Sequence, residues 1–376
     1  MRKGWELKTI GEVCKVIAGQ SPEGRFYNKN EDGLPFYQGK KEYGDKYIGK
    51  PTTWTTKVTK EAIANDILMS VRAPVGPINF STQKICIGRG LAAIRASSLI
   101  DKEFLFNFLL KHENEIVGNT GAVFNSINKA QIEAIKIPIP PLQEQQRVVA
   151  ILDKTFAAIE KAKANAVQNR KNAKELFESY LQNVFENGNW ETKKLNEISE
   201  NLDSKRVPIT KNVRNEGSIP YYGASGIVDY VADYLFDEDL LCISEDGANL
   251  LARTYPIAFS ISGKTWVNNH AHILRFKNMV SQKFVEKYLN SIKLDNFVSG
   301  MAQPKLNQTM LNKIPIPFPP LKEQQIIVNK LDTLNAETKK IEIIYKQKIA
   351  DLEELKKSVL QKAFKGELKT EKELIL

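Results

Sequence analysis

One hexapeptide pattern occurs twice in this chain. PLQEQQ covers residues 141–146 and PLKEQQ covers residues 320–325. Each copy follows a proline-rich, strand-like run and opens a long charged helical pattern. An internal repeat constrains the fold more strongly than any single element does. The repeat therefore predicts two similar globular units, each followed by a long helix.

The same register extends well beyond the hexapeptide. Leu152 and Phe185 of the first half correspond to Leu331 and Phe364 of the second. The globular parts match more weakly, through shorter pairs of segments: WELKTIGEV with WETKKLNEI, LPFYQG with IPYYGA, and AIRA with ILRF. The helices are kept while the globular interiors diverge, which is the expected pattern if the two interiors carry different specificities.

Residues 141–186 and 320–365 each predict one long helix. Apolar residues recur at heptad spacing, with Leu142, Leu152, Ile159 and Ala166 in the first stripe pattern and Ile341 in the second. This spacing is typical of coiled coils. Each helix would be roughly 65–70 Å long at a rise of about 1.5 Å per residue. One small domain cannot cover such a helix. We expect the two helices to pack on each other antiparallel, to pair with another protein, or to do both on different faces.

The remaining sequence predicts two mixed domains of helices and short strands. One helix is predicted late in each domain, at 101–117 and at 281–292. The predicted fold class is α+β, with two similar domains joined by two long antiparallel coiled-coil helices in a pseudo-two-fold internal repeat. The predicted boundaries are 1–140, 141–186, 187–319, 320–365 and a tail at 366–376.

The formal net charge of +10 over 376 residues favours a polyanionic partner. Lys and Arg neutralise phosphates and release counterions, although many soluble proteins are basic without binding nucleic acid. Lys and Arg outnumber Asp and Glu by six over residues 1–140 and by one over residues 187–319. No apolar run approaches the roughly 20 residues that cross a bilayer, and three distant cysteines indicate reduced thiols. We therefore expect a cytoplasmic protein with no membrane partner.

No catalytic motif is recognisable. The Pro-Pro pairs lie only at the helix entries, so the Asp/Asn-Pro-Pro-aromatic motif of adenine and cytosine methyltransferases is missing. AFSISGKT at 258–265 ends like a phosphate loop, but Ala258 replaces the first glycine and the context predicts strand, turn and strand. His270 and His272 would share one side of a strand, as metal ligands can, yet no third ligand is suitably spaced. We predict a non-catalytic chain without a metal or cofactor of its own.

Polar loops are the remaining candidates for function. Arg contacts guanine well, and Asn or Gln contacts adenine well. Each such residue could also be a turn former or an ordinary loop polar group. The candidate DNA-contacting residues are Gln38, Lys40, Arg72 and Arg89 in the first domain, and Ser225, Asn249, Arg253, Lys264, Asn268, Asn269 and His270 in the second.

The hexapeptides have two interpretations. Their prolines suit a first helical turn, and Glu144 and Glu323 suit the positive end of a helix. A helix start does not require paired glutamines, so these side chains are also candidates for binding a partner. They are Gln145, Gln146, Gln324 and Gln325.

These motifs resemble the specificity (S) subunits of bacterial type I restriction-modification enzymes. The resemblance is carried by IPIPPLQEQQRVVAILD and IPIPFPPLKEQQIIVNKLD, and by LQNVF and LQKAFKGEL near the helix ends. In addition, the stretches ISEDGANLLAR and SISGKTWVNNHAHIL are similar to one class of target-recognition domain in that family. The resemblance covers nearly the whole chain, from Trp5 to about Gly366.

The resemblance implies a division of labour. Each domain would read one half of a split site on double-stranded DNA, and the helices would set the gap between the half-sites. The helices would also dock two methyltransferase (M) subunits that methylate adenine at N6, and motor-nuclease (R) subunits would join the complex. S-adenosylmethionine, ATP and magnesium would belong to those other subunits. An orphan DNA-binding or adaptor protein without methyltransferase partners is the alternative.

Overall fold

Proline-rich strand ends and long heptad patterns organise this chain, and a computed structural model gives the bounds of each element. The structure describes residues 4–118, 126–300 and 303–368. Residues 369–376 of the predicted tail lie outside the described residues. The chain divides into two compact units, one made of residues 1–167 with 347–376 and the other of residues 168–346.

The first unit contains many short strands. They are β1 Glu6–Thr9, β2 Cys14–Ala18, β3 Tyr27–Asn28, β4 Leu34–Tyr37, β5 Trp54–Thr55, β6 Glu61–Ala62, β7 Ile67–Ser70, β8 Ile78–Phe80, β9 Ile85–Ile87, β10 Leu91–Ala96 and β11 Lys136–Ile139. The helices of this region are α1 Ile10–Val13, α2 Lys102–Gly118, α3 Lys129–Glu133 and α4 Leu142–Glu186. The helix predicted at 101–117 is therefore confirmed as α2.

Two sheets form the first unit's globular part. Strands β2, β10, β7 and β8 make an antiparallel sheet in that order. Strands β3, β5, β4, β9 and β6 make a mixed sheet, in which β4 and β9 run parallel. All four residues of β7 are buried, as expected for a strand covered on both faces. In addition, β1 pairs antiparallel with β11, which brings the beginning of the domain beside the strand that precedes α4.

The second unit repeats this plan. Its strands are β12 Thr192–Lys194, β13 Ser199–Asn201, β14 Glu216–Gly223, β15 Gly226–Val231, β16 Phe236–Asp237, β17 Leu240–Ser244, β18 Ala258–Ile261, β19 Lys264–Val267, β20 Ala271–Phe276 and β21 Pro315–Pro317. Its helices are α5 Leu195–Ile198, α6 Asn249–Ala252, α7 Met279–Ser291, α8 Gln308–Lys313 and α9 Leu321–Lys365. The predicted helix at 281–292 is confirmed as α7.

The sheets of the second unit match those of the first, except that the mixed sheet has four strands instead of five. Strands β13, β20, β17 and β18 make an antiparallel sheet. Strands β15, β14, β19 and β16 make a second sheet, in which β14 and β19 run parallel as β4 and β9 do. The pair β12 and β21 corresponds to β1 and β11. The predicted internal repeat and α+β class are thus confirmed.

The core of each unit includes segments from both long helices. In the first unit, Leu152 of α4 and Phe364 of α9 are buried with Phe104 and Phe108 of α2. The Phe364 ring meets those of Phe104 and Phe108 edge-on, at centroid distances of 5.0 and 5.4 Å. In the second unit, residues from the end of α4 and the beginning of α9 are buried in the core, among them Phe185, Val328 and Leu331.

The two long helices run antiparallel within each unit. In the first unit, Lys163 of α4 pairs with Glu353 of α9, and Lys356 pairs with Glu160 at 2.8 Å. In the second unit, Asn169 donates to the Tyr345 hydroxyl at 3.0 Å. Rising numbers in α4 meet falling numbers in α9, as predicted.

The predicted apolar stripes are confirmed only in part. Ile159 and Ala166 are buried, at 5% and 2% exposure. Leu142 and Ile341 were expected in the stripes, but they are 46% and 37% exposed. Both helices therefore carry apolar side chains that remain partly exposed.

Candidate nucleic-acid interface

Three connections of the first domain meet at one edge of its sheets. These segments, 37–40, 70–76 and 88–90, are called the first edge. The Gly88 amide donates to the Tyr37 carbonyl at 2.8 Å, and the Gly90 amide donates to the Gln38 carbonyl at 3.1 Å. The Val71 amide then donates to the Gly90 carbonyl at 2.9 Å. Backbone bonds alone therefore hold the three segments side by side.

The first edge presents long polar side chains to solvent. Arg72, Arg89 and Gln38 are all exposed. Ser21 links the last two, because its hydroxyl donates to Gln38 Oε1 at 2.8 Å and accepts the Arg89 amide at 3.2 Å. The structure thus brings together three of the four residues predicted in this domain.

Glycine is required on both sides of Arg89. A Cβ atom on Gly88 would lie 2.7 Å from Gln38 Oε1 and 2.9 Å from Gln38 Cα, and one on Gly90 would lie 2.5 Å from the Gln38 carbonyl oxygen. Neither position tolerates a side chain without a shift of the neighbouring backbone. The sequence Gly-Arg-Gly therefore leaves Arg89 as the single side chain at the tip of this turn.

Lys40 is half-buried and stands apart from the exposed arginines. It lines a cavity of about 500 Å³ together with Glu113 of α2 and Lys356 of α9. Burial raises the pKa of the Glu113 carboxyl, while the Lys40 charge works in the opposite direction. Lys40 is therefore partly committed to a carboxylate of its own unit.

The second domain has an edge of the same construction. The segments 222–226, 244–250 and 268–270 are called the second edge. The Asn268 amide donates to the Tyr222 carbonyl at 3.0 Å, and the Glu245 amide donates to the His270 carbonyl at 2.9 Å. These bonds reproduce those of Gly88 and Val71. The correspondence pairs Arg89 with Asn269 and Arg72 with Asp246.

The second edge is polar but less basic than the first. Ser225 and Asn269 are exposed at the two turns. His270 is also exposed, and its Nδ1 lies 2.8 Å from the Asp246 carboxylate. Asn268 is buried, and its Oδ1 accepts the His270 amide at 2.8 Å. Asn268 therefore shapes the turn, while Ser225, Asn269 and His270 stand at the surface.

Two residues predicted to contact DNA have structural roles instead. Asn249 Nδ2 donates to the Tyr255 carbonyl at 3.0 Å, and its Oδ1 accepts the Thr254 hydroxyl and the Tyr255 amide. The Arg253 guanidinium donates to the carbonyls of Leu289 and Ile292 at the end of α7. Their polar atoms are used within the chain, so we withdraw the base-contact prediction for both.

Lys264 is exposed but lies away from the second edge. It begins β19, whereas Asn268 directly follows the end of that strand. Four residues of extended strand span about 13 Å. The Lys264 ammonium instead sits over the Tyr234 ring, 4.6 Å from its centroid. Lys264 therefore belongs to a different surface from Asn269.

The four glutamines of the hexapeptides divide into a buried and an exposed pair. Gln145 is fully buried, accepts the Asp101 amide at 2.7 Å and donates to the Leu99 and Pro140 carbonyls. Gln324 is 1% exposed and donates to the Pro319 carbonyl at 2.7 Å. These two side chains hold their domains onto the helix starts and are buried rather than exposed, and partner binding by them stays a prediction. Gln146 and Gln325 are exposed.

One cluster resembles a metal site, and distant parts of the sequence supply it. Ligand atoms of Asp203, Glu245 and His272 lie within 4.8 Å of one another. However, Arg206 donates to Glu245 at 2.6 Å, and His272 Nε2 donates to the Leu306 carbonyl at 2.7 Å. The Arg206 guanidinium therefore already balances carboxylate charge at this buried site. The spacing of residues in the sequence does not predict this cluster, because its three residues lie on separate strands and loops.

Contacts within the cluster also favour the ionised form of the Asp203 and Glu245 carboxyls. Burial works to raise the pKa of both carboxyls, but His272 and Arg206 outweigh it, and both pKa values are lowered. The Asp203 carboxylate also accepts the Ile273 amide at 2.9 Å. Because Glu245 is part of the second edge, this network fixes the backbone on which Asn269 and His270 stand.

Comparison with known proteins agrees with this repeated architecture. The family model described as type I restriction modification DNA specificity domain matches residues 2–169 and again residues 187–354. The chain belongs to this family. Its repeat is therefore the family's specificity domain in two copies, and the resemblance seen in the sequence is confirmed as that to a type I specificity subunit.

Individual relatives support the same assignment. The putative type I restriction enzyme MjaX specificity subunit of Methanocaldococcus jannaschii is 41% identical over 182 residues, which is 47% of this chain and 42% of that protein. The matched stretch thus spans less than half of that relative. The MjaVIII specificity subunit of the same organism is 23% identical over 97% of this chain and 93% of that protein.

A solved structure shares the fold of the whole specificity subunit. A chain from work on complex assembly and conformational transition of the type I R-M system superposes with a TM-score of 0.77. The match covers 98% of this chain and 99% of that one at 19% identity. Among the described residues, no helix combines the length and apolar character needed to cross a bilayer.

Proposed function

We propose that this specificity subunit reads a bipartite, gapped DNA site, with one half-site for each domain. The observation that carries the proposal is the repeated edge. Two diverged domains hold three equivalent segments together with two equivalent backbone bonds, and each presents different exposed polar side chains. A repeated frame with changed side chains suits a protein that reads two different short sequences.

The first edge has the chemistry of direct readout in the major groove. Arginine donates two hydrogen bonds to guanine O6 and N7, and glutamine pairs in the same way with adenine. Ser21 fixes the Gln38 side chain and the Arg89 backbone, so part of the ordering cost of binding is already met in the free protein. We assign Arg72, Arg89 and Gln38 to base contacts in the first half-site.

The second edge offers a different set of partners to DNA. Asn269 takes the position of Arg89, and asparagine pairs with adenine. His270 and Asp246 form a polar pair that replaces the arginine of the first edge. We assign Asn269, His270 and Ser225 to the second half-site, and Lys40 and Lys264 to phosphate contacts outside the base-reading sets.

The two long helices serve as the spacer and as the docking surface for other subunits. Each has 45 residues, so α4 and α9 are each about 67 Å long. Exposed apolar side chains such as Leu176 and Ile343, at 71% and 69% exposure, are available to a partner. We propose that two adenine-N6 methyltransferase subunits bind there, that motor-nuclease subunits join through them, and that all catalysis and cofactors belong to those subunits.

Substitution of Arg89 tests the proposal. Arg89→Ala in the complex with the methyltransferase should weaken binding to the cognate duplex by roughly 5- to 150-fold, since one bidentate base contact contributes about 1–3 kcal/mol. Arg25→Ala removes an equally charged, 71% exposed arginine that pairs with Glu23, and serves as the matched control. Equal losses in both variants would indicate a general charge effect and would contradict base reading by Arg89.

Exchange of the corresponding residues gives a sharper test. Arg89→Asn gives the first domain the residue that the second domain carries at this position. Sequencing of methylated sites should show one changed base pair in the first half-site and an unchanged second half-site. A change in both half-sites would exclude one reader for each half. A complex that forms no methylated sites with the wild-type chain would favour an orphan adaptor.

A further inference from the structure

The connections that enter α2 and α7 differ in length. In the first domain, five residues, 97–101, join the end of β10 to the beginning of α2. In the second, two residues, Lys277 and Asn278, join β20 to α7. The helices otherwise correspond, because buried Phe104 and Phe284 occupy the same place in each. Each Phe lies eight residues after the last residue of its strand, so residues 279–281 form the first turn of α7 where residues 99–101 form a loop.

The longer loop covers the buried glutamine of the first hexapeptide. The Asp101 amide donates to Gln145 Oε1 at 2.7 Å. Gln145 Nε2 donates to the Leu99 carbonyl at 3.2 Å and to the Pro140 carbonyl at 2.9 Å. The loop thus offers one amide and one carbonyl to the side-chain amide group. Both polar atoms of Gln145 are satisfied inside the first domain.

In the second domain, the shorter connection leaves one polar atom of the equivalent glutamine, Gln324, without a hydrogen bond from the described residues. Gln324 Nε2 donates to the Pro319 carbonyl, as Gln145 does to Pro140. Its Oε1 is buried but accepts no hydrogen bond from any described residue. The amide that corresponds to that of Asp101 belongs to Ser281, and it donates to Asn278 Oδ1 at 2.9 Å. The helix cap has taken the donor that the glutamine would need.

A cavity of about 620 Å³ opens beside Gln324, because residues 279–281 are wound into α7. Gln324 contributes to its wall, together with both residues of the short connection. Apolar walls come from Trp190, Phe318 and Leu321. Trp190 is itself fixed, because its Nε1 donates to Glu323 Oε1 at 3.1 Å. The cavity therefore combines apolar sides with a buried acceptor that lacks a donor.

We propose that this cavity receives a peptide loop of one docked methyltransferase subunit. The inserted loop presents a backbone amide to Gln324 Oε1 and a carbonyl to Gln324 Nε2, as residues 99–101 do for Gln145. The identity of the partner rests on the proposed function, whereas the shape and hydrogen-bonding pattern come from the first domain. It follows that the two methyltransferase positions are unequal, because the first domain fills this volume with its own chain.

A loop graft tests this inference. Replacement of residues 277–281 by the first domain's Ser-Ser-Leu-Ile-Asp, at unchanged length, should fill the cavity and supply the missing amide. We expect the wild-type chain to bind two copies of the methyltransferase subunit encoded with it, as measured by native mass spectrometry. The graft should bind one copy with unchanged affinity and the other at least tenfold more weakly.

A second variant keeps the test valid if the graft folds poorly. Gln324→Met preserves side-chain length and removes the acceptor, so it should also weaken one copy, by about tenfold. Gln325→Ala, an exposed neighbour on the same turn, is the control and should bind both copies normally. Two tight copies on both folded variants would refute the cavity's role. If the wild-type chain bound no methyltransferase subunit, the proposed function would be refuted instead. If the wild-type chain formed a dimer that the graft abolished, the occupant of the cavity would be a second copy of this chain and not a methyltransferase subunit.

Discussion

If α4 and α9 determine the gap between the half-sites, matched lengthening of both helices should lengthen the gap. Insertion must be made in both, because Lys163–Glu353 and Asn169–Tyr345 fix their antiparallel register. Suitable positions are after Asn165 in α4 and after Ile349 in α9, which lie between these two pairs in each helix. A change in one helix alone would separate one of the pairs.

The expected magnitude follows from helix geometry. Seven inserted residues add about 10.5 Å and rotate the continuing helix by only about 20° relative to its partner face. At about 3.4 Å per base pair, the gap should grow by three base pairs. Four residues add about 6 Å and about 40° of rotation, which corresponds to one or two base pairs.

The insertion series contains its own control. Two residues in each helix rotate the following part by about 200° and turn residues such as Ala166 away from the partner helix. This variant should lose cooperative unfolding and the methylated sites together. Sequencing of methylated sites gives the gap for each variant directly. A seven-residue variant that unfolds normally and methylates the original gap would refute the spacer role of the helices.

Three further predictions concern stability. Phe364→Ala should lower the unfolding free energy of the first unit by about 3–5 kcal/mol, whereas Leu176→Ala at a 71% exposed position should change it by less than about 0.5 kcal/mol in chemical denaturation. The pKa of Asp203 is lower in the folded protein than in the unfolded chain, where it is near 3.8. The ionised Asp203 therefore stabilises the fold above about pH 3.8, and this stabilisation is lost as the pH falls through the folded pKa. The urea midpoint of the wild type should therefore decrease when the pH is lowered below about 4. In Asp203→Asn this decrease should be smaller, and the loss of stability relative to the wild type should be largest near neutral pH. Arg253→Ala should lower the melting temperature of the second unit, because two helix-end carbonyls lose their donor, but DNA affinity measured on the folded protein should be unchanged.

The repeat and the helices were predictable because their signals are local or periodic. The heptad spacing, the prolines before Leu142 and Leu321 and the matched register each depend on neighbouring residues. Heptad spacing did not predict that Leu142 is exposed, because it does not show which apolar side chains are covered by the chain itself. Periodicity therefore located the helices but did not identify every covered side chain.

The site residues were harder to predict, because long-range hydrogen bonds decide their roles. Asn249 and Arg253 look like readers of DNA in the sequence, yet they bind backbone groups within the second unit. Gln145 looks like a surface residue of a helix start, yet a carbonyl and an amide from another loop surround it. Polar side chains that satisfy buried backbone groups cannot be told from exposed ones by residue type alone.

The two edges also show how such domains can diverge without refolding. At equivalent positions the first edge has Gly88 beside Gln38, and the second has Asn268 beside Gly223. A Cβ on Gly88 would lie 2.7 Å from Gln38 Oε1, whereas one on Gly223 would lie 3.4 Å from Asn268 Nδ2. Two of the backbone bonds between these segments are the same in both domains, and in each domain the one long side chain faces a glycine. A side chain at position 88 would therefore require a smaller residue at position 38, and the loops that we propose to read bases can diverge in such pairs while the frame that holds Arg89 and Asn269 is kept.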